Sequence, residues 1–559
     1  MREEKHMHTN RWVMSKTEAV AANGMVSSKH PLASRAGLEI LQKGGNAVDA
    51  AVATAFAVGV VEPWMNGLGG GGFMVVHLAK AGRSLVIDYG MRAPAAAHPD
   101  LYQLEDGYNE DMFPWRKTRG DENVAGYKAI AVPGTVAGLS LALQQYGTMD
   151  LAAVMQPAIR YAEHGFPVDW HTMLQICADA EMIAKFPETA AVFFRNGFPR
   201  KPGAGAKEEL LQQPDLAATL RRIASGGQGE FYRGETAVRI VRAMQTNGGL
   251  ITAADLAGYT PIVHEPGLVT AYRDCQVVSV PAPSGGPTVA AALGLLSGFD
   301  LSAATWGGAA SLHLVAEASR LAFADRYALL GESAGPEYPW QALLEPAYLA
   351  ERRRLIHPDR AMTDVRDGGF IPDGSTTHLS VVDRDRNMVS LTQTLLSRFG
   401  SRVTIPGTGM LMNNGMLWFD PEPGRANSVA GGRRPLSNMA PLVILKDGRP
   451  WVTLGSSGGR RIMGANLQIA IDMIDYGMSI QEAISAPRVD LSTGKLLADS
   501  RLPAGSVARL RGLGHEVTVV TESILPHHFA SPCGIMVDGA AGVLRGGADP
   551  LHPAVCMGY

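Results

Sequence analysis

Between Asp49 and Glu62 the chain runs for twelve residues, Ala50 to Val61, in an almost unbroken apolar stretch. A helix of this kind is apolar on every side, so it cannot lie on a surface with one polar face. It is also too short for a bilayer, which needs about 20 residues. The stretch therefore predicts a helix buried in the middle of a layered core, opened by Asn46 as N-cap with Asp49 three residues on. A first helix, Ser34 to Gln42, precedes it and is stopped by Gly44-Gly45.

Composition bounds the rest. With 559 residues, 46% of them hydrophobic and 18% charged, the chain can bury a large core and is far from the composition of disordered proteins. Fifty Lys and Arg against 53 Asp and Glu give a net charge of −3, which argues against nucleic acid as a partner. Length alone allows three to four domains or one large layered fold. Cys177, Cys275, Cys533 and Cys556 show no paired spacing, so they read as free thiols, with neither a disulfide frame nor a zinc site. The first twenty residues lack the apolar core of a secretory signal, which predicts a cytoplasmic protein, with periplasmic export left open.

Along the chain, strands are expected at Phe73 to Lys80, Ser84 to Tyr89 and from Cys275, and a surface excursion at 101–125. Helices are expected after Val132, after Leu151 and from Ala309 to Leu329. Charge and proline at 350–375 read as an exposed connector ending in IPDGS. After it the text turns β-rich, with runs at Thr377–Asp383, Met388–Thr394, Leu442–Leu445 and Trp451–Leu454, and a helix near Ala465–Tyr476.

Several motifs invite chemistry. Gly67, Gly69 and Gly72 match a dinucleotide fingerprint, but the order here is helix, glycines, strand, the reverse of what that site needs; close backbone approach is the better reading. Gly455-Ser456-Ser457-Gly458-Gly459 matches the nucleophile elbow of serine hydrolases, with histidines downstream, yet its glycines after a strand equally present N–H groups to an oxyanion. His527-His528 lack metal-ligand spacing, and neither metal nor other cofactor is implied.

The most informative text is Gly374-Ser375-Thr376-Thr377-His378. If the polar turn DRDRN is a hairpin centred on Asp385, the paired residues sum to 770 and Thr394 faces Thr376. A threonine can act as nucleophile with its own α-amine as base once the chain is cut before it. The hydroxyl attacks the Ser375 carbonyl, an N→O shift forms an ester, and water opens it.

These segments resemble the γ-glutamyltransferase family of N-terminal-nucleophile hydrolases. The resemblance covers nearly the whole chain, through HPLASRAGLEILQKGGNAVDAAVATAFAVGVVEPWMNGLGGGGF, AVPGTVAG, VPAPSGG, FADR, TTHLSVVDRDRN, RRPLSNMAP, GSSGGRRI, DYG, APR and GADP. It implies an α+β, four-layer αββα sandwich, made as a precursor that cuts itself into a large subunit, 1–375, and a small one, 376–559, intertwined in one fold. Thr376 matches the nucleophile, Thr394 the threonine that orients its amine, and Gly458 with Gly459 the oxyanion hole. Ser437 and Asn438 match the pair that holds the substrate's distal carboxylate, with Asn in place of the second serine.

The departures bear on substrate. Leu396 stands where transpeptidases have Asn, Gly415 where they have Gln, and Trp418 where an Asp grips the γ-glutamyl amine. Arg92 is displaced by two positions from the family's carboxylate-binding arginine, about 7 Å along a strand but on the same face. Only 21 residues lie between Gly415 and Ser437, which implies an open pocket. Together these changes resemble the acylase branch that removes glutaryl side chains from cephalosporins and keeps some γ-glutamyl activity. A true γ-glutamyltranspeptidase or glutathione hydrolase, an oxamate amidohydrolase, and an unprocessed binding homologue stay open as alternatives. The implied partners are a small-molecule amide and the two subunits of one precursor, with a dimer of heterodimers open to it, and neither nucleic acid nor membrane.

Overall fold

The computed structural model describes residues 14–108, 115–203, 208–332, 339–362, 376–525 and 527–559. Its centre is the predicted apolar helix. Helix α2 spans Ala47–Val61, and fourteen of its fifteen residues are buried, Gly59 being the exception. Asn46 caps it by accepting from Val48 N and Asp49 N, while Asp49 accepts from Asn46 N, a reciprocal capping box. It packs against α1 (Pro31–Gln42) on one side and α3 (Leu151–His164) on another. Its whole circumference is thereby covered.

Two seven-stranded antiparallel sheets carry the fold. In chain order the strands are β1 (Ala19–Ala21), β2 (Met25–Ser28), β3 (Gly71–Leu78), β4 (Arg83–Tyr89), β5 (Ile262–His264), β6 (Leu268–Tyr272), β7 (Cys275–Ser279), β8 (Thr377–Val382), β9 (Met388–Thr394), β10 (Leu442–Lys446), β11 (Arg449–Ser457), β12 (Ser531–Asp538), β13 (Val543–Ala548) and β14 (Val555–Gly558). The first sheet has the order β1-β13-β12-β11-β10-β7-β6, the second β5-β4-β3-β9-β8-β2-β14. Both draw strands from before and after Thr376. Helix α2 lies on the second sheet. Helices α4 (Gly286–Leu296) and α6 (Arg461–Ile474) lie on the first, with α5 (Ala309–Leu329) packed on α4. The sheets face each other, tied by Ser390 Oγ to Leu454 O (2.9 Å) and Thr453 Oγ1 to Val389 O (3.0 Å). This is the four-layer αββα sandwich.

The register follows the hairpin reading. Thr377 pairs with Gln393 and Val382 with Met388, each pair summing to 770. Alternation then sorts the two strands: Leu379, Val381, Val389 and Leu391 enter the cluster under the helices. The even-numbered His378, Ser380, Ser390 and Thr392 occupy the other face, toward the first sheet. Thr376 and Thr394 carry the same parity.

Other boundaries move. Helix α6 begins at Arg461 rather than near Ala465, because the chain turns into it directly after Gly458-Gly459. The excursion at 101–125 contains a short strand pair, Leu104–Tyr108 with Arg116–Thr118. The connector at 350–375 starts as helix, Pro346–Arg353, and its Ala361 N donates to Leu513 O (2.7 Å). Ser375 lies outside the described residues.

Candidate active site

Thr376 sits one residue before β8 and is 4% exposed. Extending the printed ladder by one step places it opposite Thr394, the last residue of β9. Thr394 pairs on its other side with Gly71 of β3, and its hydroxyl accepts from Leu396 N (2.8 Å). The glycine run exists for this approach: a Cβ on Gly70 would lie 2.4 Å from Thr394 O, and one on Gly72 2.5 Å from Thr392 O. With helix α2 before the run and β3 after it, no nucleotide loop forms.

Thr376 lines a cavity of about 200 Å³ together with Ser457, Gly458, Arg398 and Arg461. Strand β11 ends at Ser457, and Gly458 (φ 133°) and Gly459 (φ 58°) turn the chain into α6. An L side chain is strained at both angles, and a Cβ on Gly458 would lie 2.9 Å from Ala530 Cα. The strand, glycine turn and helix of a nucleophile elbow are thus present, but in an antiparallel sheet, and Ser457 Oγ is directed to Ser531 O (3.4 Å).

The loop after β9 forms another wall. Leu396, Phe399 and Arg402 all take positive φ, 89°, 57° and 64°, conformations that bulky residues seldom adopt. Arg402 grips Asp179 with Nε (3.0 Å) and a terminal nitrogen (3.1 Å). Arg398 Nε donates to Gln175 Oε1 (2.8 Å), and Gln175 Nε2 meets His171 Nε2 (3.1 Å).

Beneath the threonines lies an acid that sequence reasoning passed over. Glu62, the C-cap of α2, accepts from Thr377 Oγ1 (2.6 Å) and is 1% exposed. Burial pushes its pKa up to about 7, against the lowering by the Thr377 hydroxyl and Lys29. His552 Nε2 lies 3.6 Å from its other oxygen. Burial holds His552 well below the usual histidine range and His171 near 3, so both rings are neutral. Only its place at the end of an apolar helix could have flagged Glu62. His378, next to the two threonines, is a core residue: its ring bonds Thr392 Oγ1 (2.8 Å) and Ser380 Oγ (3.1 Å).

The expected substrate-binding residues stand apart from the cavity lining. Ser437 and Asn438 are buried around Arg326, which donates to Ser437 O (2.7 Å) and Asn438 Oδ1 (2.9 Å); Asn438 Nδ2 is buried without a hydrogen-bond partner among the described residues. Trp418 and Leu396 join an apolar cluster with Phe73, Met91 and Met416. Arg92 stacks 5.3 Å over the Tyr259 ring and donates to Thr260 O (2.9 Å).

Among the described residues, His313, Glu317 and His515 lie close enough to share a metal ion. His313 Nδ1 and His515 Nε2 share a hydrogen bond at 2.7 Å, while Glu317 accepts from Met362 N and Arg320 Nε. All four cysteines are free thiols. No helix among the described residues is long and apolar enough to cross a membrane.

The family model of gamma-glutamyltranspeptidase matches residues 33–559. The chain belongs to that family. It is an enzyme, an amidohydrolase of the N-terminal-nucleophile type. Acylase ACY 1 proenzyme of Pseudomonas sp. (strain V22) is 42% identical over 505 residues, covering 90% of this chain and 88% of the relative. Glutathione hydrolase proenzyme of Escherichia coli (strain K12) is 37% identical over 553 residues, covering 95% and 90%. The crystal structure of cephalosporin acylase from Bacillus halodurans superposes with a TM-score of 0.87 at 29% identity over 99% of each chain.

Proposed function

We propose that this family member cuts itself between Ser375 and Thr376 into subunits of 375 and 184 residues, and that Thr376 then removes a carboxylate-ended acyl group of glutaryl type from an amide. One observation carries the reading: Thr376 is buried, in the register that faces Thr394, in the same cavity as Gly458. Its Oγ attacks the substrate carbonyl while its α-amine takes the hydroxyl proton and returns it to the leaving amine. The N–H groups of Gly458 and Gly459 hold the tetrahedral oxyanion. Water then opens the acyl-threonine ester, releasing the acid. Because Thr394 Oγ1 accepts from Leu396 N, its own hydrogen is directed elsewhere, toward the Thr376 amine in this reading.

The acyl preference follows from burial. Leu396 and Trp418 belong to an apolar cluster where a substrate ammonium would be desolvated without a partner. The distal carboxylate would meet Asn438 Nδ2, an orphan donor among the described residues, with Ser437 beside it and the Arg326 guanidinium behind. The acylase relative supports this reading, and the glutathione hydrolase relative supports the competing one.

The test is the intact mass of the denatured protein with N-terminal sequencing, followed by kcat/KM for glutaryl and γ-glutamyl 4-nitroanilides. Two chains are expected, the smaller beginning Thr376-Thr377-His378, with the glutaryl amide hydrolysed at least about tenfold more efficiently. A single uncut, inactive chain overturns the mechanism. The reverse ranking of substrates makes the enzyme a glutathione hydrolase or transpeptidase.

A further inference from the structure

We propose that His313, Glu317 and His515 form a binding site for a divalent metal ion of zinc type, which ties the chain before Thr376 to the chain after it. The site goes beyond the reaction at Thr376, and none of its residues lines that cavity. His313 and Glu317 lie one turn apart on the same face of α5. His515 follows helix Ala504–Gly512 and stands 202 residues from His313 in the chain, so no ligand spacing marks the set. All three side chains are buried, and their donor atoms lie within 4.8 Å of one another.

The hydrogen bonds leave a mismatch that a cation corrects. His357 O can only accept, so His313 Nε2 carries the hydrogen that reaches it (2.7 Å) and, in the neutral ring, Nδ1 is bare. His515 Nε2 then donates to that Nδ1 (2.7 Å). Burial, with His313 and Arg320 beside it, holds the His515 pKa down to about 4, so this ring is neutral and its own Nδ1 is a second bare lone pair. That Nδ1 has no hydrogen-bond partner among the described residues and faces Glu317 Oε1 across 4.0 Å. Two acceptors turned toward each other in a dry interior repel unless a positive centre lies between them.

Zinc suits the donor set of two imidazoles and one carboxylate, and its ligand distances of about 2.0–2.2 Å draw the three atoms inward by under about 1 Å. His313 binds through Nδ1 and keeps its Nε2–H on the His357 carbonyl, the kind of backbone acceptor that orients metal-bound histidines. The hydrogen now shared by the rings stays on whichever His515 nitrogen does not bind the metal. Glu317 Oε2 keeps Met362 N (2.7 Å). Arg320, partly exposed, holds Oε1 through Nε (3.2 Å) and is the cation that zinc displaces. His357 and Met362 belong to the connector that leads to Thr376, and Ala361 N donates to Leu513 O (2.7 Å). The ion therefore staples this connector to the turn that carries His515.

The experiment uses the full chain as purified, stripped with dipicolinate and returned to zinc alone. Zinc retained through gel filtration is counted by plasma mass spectrometry, affinity is read against a chromophoric chelator, and thermal unfolding is followed by circular dichroism. Wild type is expected to hold one zinc per chain with a Kd of about 1 μM or tighter, and to unfold at least about 2 °C higher when zinc is saturating. His313→Gln and His515→Gln are expected to weaken binding by about 100-fold or more, and Glu317→Gln, which still accepts from Met362 N, by about 10- to 100-fold. Arg320→Gln removes the competing cation and is expected to tighten binding by about 3- to 10-fold, which keeps the proposal testable if a histidine variant fails to fold. Wild type that retains no zinc overturns the assignment, the mismatch then being closed by a proton or a water. So does one zinc per chain held equally by wild type, His313→Gln and His515→Gln, which places the ion elsewhere, and so does an Arg320→Gln variant that binds more weakly than wild type.

Discussion

Strand β9 and the nine residues after it, Leu395 to Val403, differ in everything but their place in the chain. Along β9 each side chain alternates between the helix face and the facing sheet, and the ladder to β8 and β3 runs without interruption. In the loop, three non-glycine residues take positive φ, and their neighbours Ser397 and Arg398 line the cavity with Thr376. The strand satisfies its backbone by pairing, so any sequence with the right period would serve. The loop holds costly conformations because the surrounding core over-determines them, and it places side chains where a relaxed backbone would not.

The comparison breaks most completely at its pivot. Thr376→Ala leaves the ladder intact while removing the attacking oxygen, so both self-cleavage and amide hydrolysis are expected to vanish, by at least about 10³-fold; an uncut band on a denaturing gel with a native circular dichroism spectrum checks it. Processing that survived the substitution would sink the mechanism.

Gly458→Ala comes next. Its φ of 133° and the 2.9 Å approach of the new Cβ to Ala530 Cα shift the oxyanion turn, and the loss of one aligned donor is expected to lower kcat by about 10²–10³. Single-turnover rates on any processed fraction read this directly.

Stability sharpens the contrast between strand and loop. In β9, Val389→Ala is expected to be more stable than Val389→Gly by about 0.5–1 kcal/mol, the usual order. At Leu396 the order should invert, glycine exceeding alanine by roughly 1 kcal/mol, because only glycine is unstrained at φ 89°. Urea midpoints of the four variants decide it, and the same order at both sites would remove the strain argument.

The smallest effect is a pH slope. Burial raises the Glu62 pKa in the folded state to about 7, above its unfolded value of 4.5, so the native state binds the extra proton between those values. Stability from this group is present below about pH 4.5 and lost as pH rises toward 7. Glu62→Gln still accepts from Thr377 but has no proton to lose, so thermal unfolding at pH 5 and pH 8 should show wild type falling relative to the variant.

How much was legible depended on how local the signal was. The two central helices, the 770 register and the facing of Thr376 by Thr394 follow from hydrophobic period and turn chemistry within some twenty residues, and the structure places these elements accordingly. Glu62, Gln175 and Arg398 were not legible. They meet Thr377, Arg398 and the cavity across sequence separations of 315 and 223 residues, and nothing near them in the chain announces it. Arg92 shows the converse: the motif marks it, yet Tyr259 and Thr260 hold it.

By itself the sequence determined the family through its motifs, and the layered α+β class through that resemblance, while the central helices and the hairpin that carries Thr376 follow from period, capping and turn residues, which act over short distances. Tertiary structure alone decided which charges share the cavity, which histidines are kept neutral and which residues are held in strained backbone. Those properties depend on burial and on contacts between segments far apart in the chain, where desolvation and packing override local preference.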